Sequence, residues 1–94
     1  LDLSLGANAV LRVEANSYFS ADVTLYAKTS VTIGAGSMIG QRVLIMDYDG
    51  HPLVPAATST ELPELPELSG GQSRGITIGK NVWVGHGATL LKGV

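Results

Sequence analysis

The residues best suited to chemistry in this chain sit together in Asp47-Tyr48-Asp49-Gly50-His51-Pro52. A histidine titrates near neutral pH, so His51 can take the proton from a hydroxyl as a general base. Asp49 and Asp47, two and four residues earlier, are positioned to fix the imidazole tautomer or raise its basicity. Gly50 lets the backbone turn sharply, and Pro52 stiffens the exit. An isolated loop histidine is ordinarily just solvated. What gives His51 more weight is where it falls, at the one break in a repeating sequence.

The repeat has a period of six. An aliphatic residue leads each unit, glycine often follows it, and a small residue comes four places after the lead. It is plainest in Ile33-Gly34-Ala35-Gly36-Ser37-Met38, then Ile39-Gly40-Gln41-Arg42-Val43-Leu44, then Ile45. It returns in Ile78-Gly79-Lys80-Asn81-Val82-Trp83, Val84-Gly85-His86-Gly87-Ala88-Thr89 and Leu90. Fainter units begin at Val13, Phe19 and Leu25, with Ser17, Val23 and Thr29 in the small position. The frame slips by two residues at Val31-Thr32 and similarly at Leu11-Arg12, and extra residues there are expected to widen one corner of a coil. A hexapeptide period predicts a parallel β-helix, and nothing in these segments has an apolar stripe of helical spacing.

The chain reads as one domain, residues 1–94, with coils over about 1–45 and 76–94 and a long loop over about 46–75. The loop has no sixfold period and holds all four prolines, including those of Leu62-Pro63-Glu64-Leu65-Pro66-Glu67-Leu68. Proline opposes both helix and central strand, so polyproline II-like stretches are expected there. Thr58-Ser59-Thr60-Glu61 matches a helix capping box, but the prolines that follow leave no room for a long helix. Ser69-Gly70-Gly71-Gln72-Ser73 is expected to be flexible. A loop this long inside a small domain is commonly functional.

Composition narrows the field. The chain is 45% hydrophobic but has only one Trp, three Tyr and one Phe, which suits a narrow core of stacked aliphatic side chains. Its net charge is −2 and its six Lys and Arg residues are scattered, so nucleic acid is not an expected partner. With no cysteine, thiolate catalysis and cysteine-ligated zinc are excluded. No apolar run approaches the ~18 residues of a membrane span, and a soluble, cytoplasmic protein is the expectation. The sequence stops at Val94 within a repeat, which predicts that it is a piece of a longer protein.

Gly34-Ala35-Gly36-Ser37-Met38-Ile39-Gly40 superficially suggests a dinucleotide-binding loop. Its glycine spacing is wrong and no helix follows, so these glycines are better explained as turn positions. His86 falls two residues after a lead position, at a corner or on an outer face. Trp83 is expected to pack outward, against the long loop or a neighbouring subunit.

Val31-Thr32-Ile33-Gly34, Gly50-His51-Pro52, Ile76-Thr77-Ile78-Gly79-Lys80-Asn81-Val82-Trp83-Val84-Gly85 and Ala88-Thr89-Leu90-Leu91-Lys92-Gly93-Val94 together resemble the hexapeptide-repeat acyltransferases. The likeness is greatest to the sugar and polysaccharide O-acetyltransferases and covers roughly Asn16 to Val94. It implies an all-β, left-handed parallel β-helix with about three hexapeptides per coil, and a homotrimer with active sites between subunits. It implies acetyl-CoA as acyl donor, a saccharide hydroxyl as acceptor, and no metal. His51 matches the family's general base, acting by direct transfer while a coil backbone N–H stabilises the oxyanion. Ser20 stands where the galactoside-type enzymes carry an acceptor-binding Asn, and Ala27 or Lys28 stands where they carry an Asp. The Asp47 and Asp49 pair is more like that of the polysaccharide-modifying relatives. Asp47, Asp49 and Ser20 are therefore the acceptor-side candidates, and Trp83, Gly85 and His86 the donor-side candidates. His86 aligns with a CoA-contacting Ser of the family.

Two other functions fit the repeat. A non-catalytic oligomerisation or scaffold module would have no use for His51 on its loop. An N-acyltransferase acting on an amino sugar differs from the leading reading only in its acceptor atom. A zinc carbonic anhydrase on the same helix needs three histidines, and this chain has two. Thr24, Thr29 and Thr32 do not form the long threonine array of an ice-binding helix.

Overall fold

The computed structural model describes residues 1–49 and 73–94, and among them there are ten short strands and no helix. The strands are β1 (Asp2–Leu5), β2 (Val10–Val13), β3 (Tyr18–Phe19), β4 (Thr24–Ala27), β5 (Ser30–Ile33), β6 (Met38–Ile39), β7 (Leu44–Met46), β8 (Ile76–Ile78), β9 (Trp83–Val84) and β10 (Thr89–Leu90). They pair only in parallel, in three sheets: β1-β4-β7-β10, β2-β5-β8 and β3-β6-β9. Each successive strand thus joins the next sheet in rotation, an arrangement compatible with a β-helix.

The register sets the length of one round. Val10 pairs with Ser30, Tyr18 with Met38 and Thr24 with Leu44, each 20 residues on. Across the loop, Val31 pairs with Ile76, Met38 with Trp83 and Leu44 with Thr89, each 45 residues on. The insertion therefore returns to the register it left, and its two ends meet at one corner.

Strand alternation sends every second side chain inward. Leu25, Val31, Ile33, Ile39 and Ile45 are wholly buried, and they form one core with Val23, Ala27, Val43, Ile76, Ile78 and Val84, contributed by all three sheets. Burying one such Leu, Ile or Val side chain is worth about 1.5–3 kcal/mol. Aliphatic neighbours stack from round to round: Leu3, Leu25, Ile45 and Leu90 form one file, and Val13, Ile33 and Ile78 another. This stacking explains the aliphatic lead residue of each repeat.

The small position four residues after the lead also has a physical cause. Ser37 is completely buried at the corner between the second and third sheets. Its hydroxyl donates to the Gly79 carbonyl at 2.7 Å and accepts from the Val82 amide at 3.1 Å. Ser17, one round earlier, has its hydroxyl 2.8 Å from the Glu14 carbonyl and 3.2 Å from the Gly34 carbonyl, so its one O–H donates to either or is shared between them. At the next corner the same position holds Val23 and Val43, so the slot takes compact side chains, while at Ser37 an apolar one would lose the bonds to the Gly79 carbonyl and the Val82 amide.

The corners turn through the left-handed region. Asn16, Gly36 and Asn81 lie one above another at one corner with φ of 61°, 74° and 54°, and Asp22, Arg42 and Gly87 at the next with 60°, 60° and 74°. Asn, Asp and Gly tolerate this conformation, whereas other residues pay for it. An added Cβ at Gly36 would also force the Asn81 side-chain amide to move aside.

The expected frame slip is placed differently. Val31 and Thr32 lie within β5, in register with Leu11 and Arg12. The additional pair instead lengthens the first sheet, which carries three inward positions per round (Val23, Leu25, Ala27, then Val43, Ile45, Asp47), where the second and third carry two. Parity permits this, because two extra residues leave the inward and outward alternation unchanged.

Ser37→Ala is expected to lower the free energy of unfolding by about 1–2 kcal/mol, since it removes two part-buried hydrogen bonds from the corner. Arg42→Asn should act in the opposite direction, by up to about 1 kcal/mol, through relief at a left-handed position. Urea titration of the two variants beside the parent chain measures both.

Candidate functional site

The third inward slot of the first sheet is where the site begins. One round earlier that slot holds Ala27, and in the next it holds Asp47, whose side chain is fully buried. A buried carboxylate must be hydrogen-bonded. The adjoining corner, residues 28–30, presents three successive amides that lack ladder partners. Asp47 Oδ1 accepts from Lys28 N at 2.7 Å, and Oδ2 accepts from Thr29 N at 2.8 Å and Ser30 N at 2.9 Å. Among the described residues no buried side-chain nitrogen or oxygen lacks a partner.

The same corner then holds both ends of the insertion. The Asp47 carbonyl accepts from Arg74 N at 2.9 Å, and Tyr48 and Ser73 form an antiparallel bridge. The Thr29 and Ser73 hydroxyls are hydrogen-bonded at 2.8 Å. Lys28 Nζ lies 4.8 Å from the centre of the Tyr48 ring, within cation–π range. The neck of the insertion is therefore braced from below by one turn of the preceding round.

Asp49 follows at the neck and pairs with Lys92, which arrives from the strand end after β10. The two side chains are 13% and 27% exposed, so the pair is largely withdrawn from water. Beside it lies a cavity of about 460 Å³ lined by Met46, Tyr48, Asp49, Leu91 and Lys92. His51, with Gly50 and Pro52, lies outside the described residues, as do the proline-rich stretch and the capping-box match. Covalent geometry alone keeps the Cα of residue 51 within about 7 Å of that of Asp49.

The remaining candidates gather elsewhere. Ser20 N donates to the Ile39 carbonyl and Gly40 N to the Val84 carbonyl, so Ser20, Gly40 and Gly85 follow one another down the corner between the third and first sheets. An added Cβ at Gly40 would come within 2.7 Å of the Val84 oxygen, so glycine there permits close approach of the next round. Gly85, His86 and Gly87 stack on the corner of Gly40, Gln41 and Arg42, and the Gly87 amide donates to the Gln41 carbonyl at 2.9 Å. Trp83 is 76% exposed on β9, in file with exposed Met38 and Tyr18.

The expected residues thus divide between two corners. Asp47 and Asp49 lie at one edge of the first sheet, and Ser20, Gly85 and His86 at the other. A four-residue strand between those edges spans about 13 Å. Asp47 is also committed to the chain's own amides, which is a structural task. Sequence reading missed Lys92 and the bracing by Lys28, Thr29 and Ser73. Lys92 was accessible in principle, because the 45-residue register that aligns Ile33 with Ile78 also places it in the file of Asp47. Among the described residues no three His, Cys, Asp or Glu side chains come together as a metal-binding group. No helix among them is long and apolar enough to cross a membrane.

The chain is similar to two curated relatives, both called nodulation protein L. It is 33% identical over 84 residues to the one from Rhizobium meliloti (strain 1021), covering 89% of this chain and 41% of that protein. It is 32% identical over 84 residues to the one from Rhizobium leguminosarum bv. viciae, covering 89% and 40%. The chain therefore spans about two fifths of the length of these relatives. No family model matches it, and no solved structure does.

Asp47→Asn would set an NH2 group against one or two of the corner amides. The expected result is a loss of about 2–4 kcal/mol in unfolding free energy. Faster hydrogen exchange should accompany it at the Lys28, Thr29 and Ser30 amides. Unchanged exchange at those three amides would contradict the assigned role of the carboxylate.

Proposed function

We propose that this chain is the β-helical portion of an acetyl-CoA-dependent O-acetyltransferase acting on a saccharide hydroxyl. The observation that carries the reading is a rotation of parallel strands through three sheets, broken at one corner by an insertion that begins Gly50-His51-Pro52 from a braced neck. A mere scaffold has no need of such a neck. The closed, left-handed solenoid and the resemblance to hexapeptide-repeat acyltransferases belong to this proposal.

In the proposed reaction His51 takes the proton of the acceptor hydroxyl as its oxygen bonds to the thioester carbonyl carbon. The carbon–sulfur bond then breaks, and the proton passes to the departing thiolate. A backbone N–H of the coil stabilises the oxyanion. Asp49, two residues from His51, serves the acceptor side. Asp47 fixes the neck rather than touching substrate. Gly85, His86 and exposed Trp83 serve the donor side.

The two candidate groups occupy opposite edges of one sheet, about 13 Å apart. That separation favours a site completed by a second copy of the chain, with the loop corner of one subunit facing the Gly85–His86 corner of the next. A homotrimer provides three such sites.

Acceptor-dependent thiol release from acetyl-CoA, measured with a pool of sugars, tests the reading. His51→Ala is expected to lower it at least about a hundredfold. Release unaffected by the substitution would remove His51 from the mechanism.

A further inference from the structure

The sulfur chemistry of this chain is confined to two thioethers, because it has two Met and no Cys. Both methionines point outward, from different faces. Met46 lies on the first sheet, half-buried between the inward residues Ile45 and Asp47, and lines the cavity at the neck. Met38 lies on the third sheet and is 51% exposed, while its strand neighbour Ile39 is wholly buried.

Register sets what surrounds Met38. Tyr18 pairs with it from the round before and Trp83 from the round after, and both are exposed. Parallel strands lie about 4.8 Å apart. The thioether therefore springs from the sheet one strand spacing from each aromatic side chain, which matches the ~5 Å at which sulfur and rings attract. Each outward file of the other two sheets contains a Ser, a Thr or a charged side chain. These files are Asp2, Thr24, Leu44 and Thr89, then Ser4, Tyr26 and Met46, on the first sheet. On the second they are Val10 and Ser30, then Arg12, Thr32 and Thr77. The file through Met38 contains none, so its thioether is the centre of an apolar and aromatic strip open to solvent.

We propose that Met38 is a reversible oxidation site, at which a peroxide switches the outer face of the third sheet from apolar to polar. A sulfur lone pair attacks one oxygen of the peroxide and the O–O bond breaks. The proton on the transferred oxygen passes to the departing hydroxide, so a sulfoxide and water result. Sulfur loses two electrons and the peroxide gains them. The product replaces a flexible apolar group with a polar, chiral one between the two aromatic side chains. No thiol in the chain competes for the oxidant. A methionine sulfoxide reductase, with a dithiol as reductant, returns the thioether. Trp83 is the one tryptophan, so its emission reports the state of this strip. None of this depends on the acetyltransferase reading.

The test is a time course of the full chain in hydrogen peroxide. Peptide mass spectrometry follows each methionine, and fluorescence follows Trp83. Met38 is expected to oxidise at least about fivefold faster than Met46, because exposure governs access of the oxidant. In urea the two rates should converge. Trp83 emission should change in step with Met38 and return when reductase and dithiothreitol are added. Met38→Leu should abolish the emission change and leave Met46 oxidation at the parent rate. Met38→Gln, polar and of similar length, should reproduce the oxidised emission without peroxide. Urea midpoints establish that both variants are folded. Met46 oxidising as fast as Met38 in the folded chain would overturn the site. Trp83 emission that ignores Met38 oxidation, or that still responds in Met38→Leu, would overturn the switch.

Discussion

Register is the constraint on which this molecule depends. Every strand sits in parallel over a partner one round away, and on all three sheets the ladder leaves no freedom to slide by one residue. Sliding by one would turn Leu25, Ile33, Ile39 and Ile45 outward and bring in neighbours that do not match the stacked files, such as Thr24, Tyr26 and Thr32. An insertion is tolerated only if its two ends meet at a single corner and the chain resumes in step. Val31 over Ile76 and Leu44 over Thr89 show that it does.

Meeting that condition requires an anchor, and Asp47 supplies it. The described core holds only two buried polar side chains, Ser37 and Asp47, and both do the same kind of work. Each satisfies backbone groups at a corner, where the ladder between strands is interrupted and amides or carbonyls turn inward without partners. Ser37 serves a plain turn with one hydroxyl. Asp47 serves the wider corner at residues 28–30, where three amides need acceptors. The carboxylate belongs to the round that carries the insertion, so the feature that completes the core also fixes where the long loop departs.

The division of candidate residues between two edges of the first sheet gives the proposed chemistry its geometry. One edge offers the braced neck, the Asp49–Lys92 pair and a cavity; the other carries Ser20, Gly85 and His86. A donor and an acceptor held at these edges of one chain would not touch. Two chains side by side bring unlike edges together, which links oligomeric state to activity in the proposed mechanism.

The sequence by itself determined the periodic architecture. The aliphatic lead, the small residue four places on and the turn residues Asn16, Gly36 and Asn81 are local requirements of stacked parallel strands, so they are written at a fixed spacing. It also marked the insertion, because Pro52 through Pro66 cannot continue the ladder. Only the tertiary structure decided what Asp47 does. Read as a neighbour of His51, it looked like an acceptor ligand, yet the two extra residues of the first sheet place it inward beneath the Lys28–Ser30 amides. Lys92 was likewise hidden, because its partner Asp49 is 43 residues away and the two meet only when the fourth round stacks on the third. Spacing along a chain records which residues repeat, whereas contacts between rounds depend on register, and register is fixed only once the core has closed.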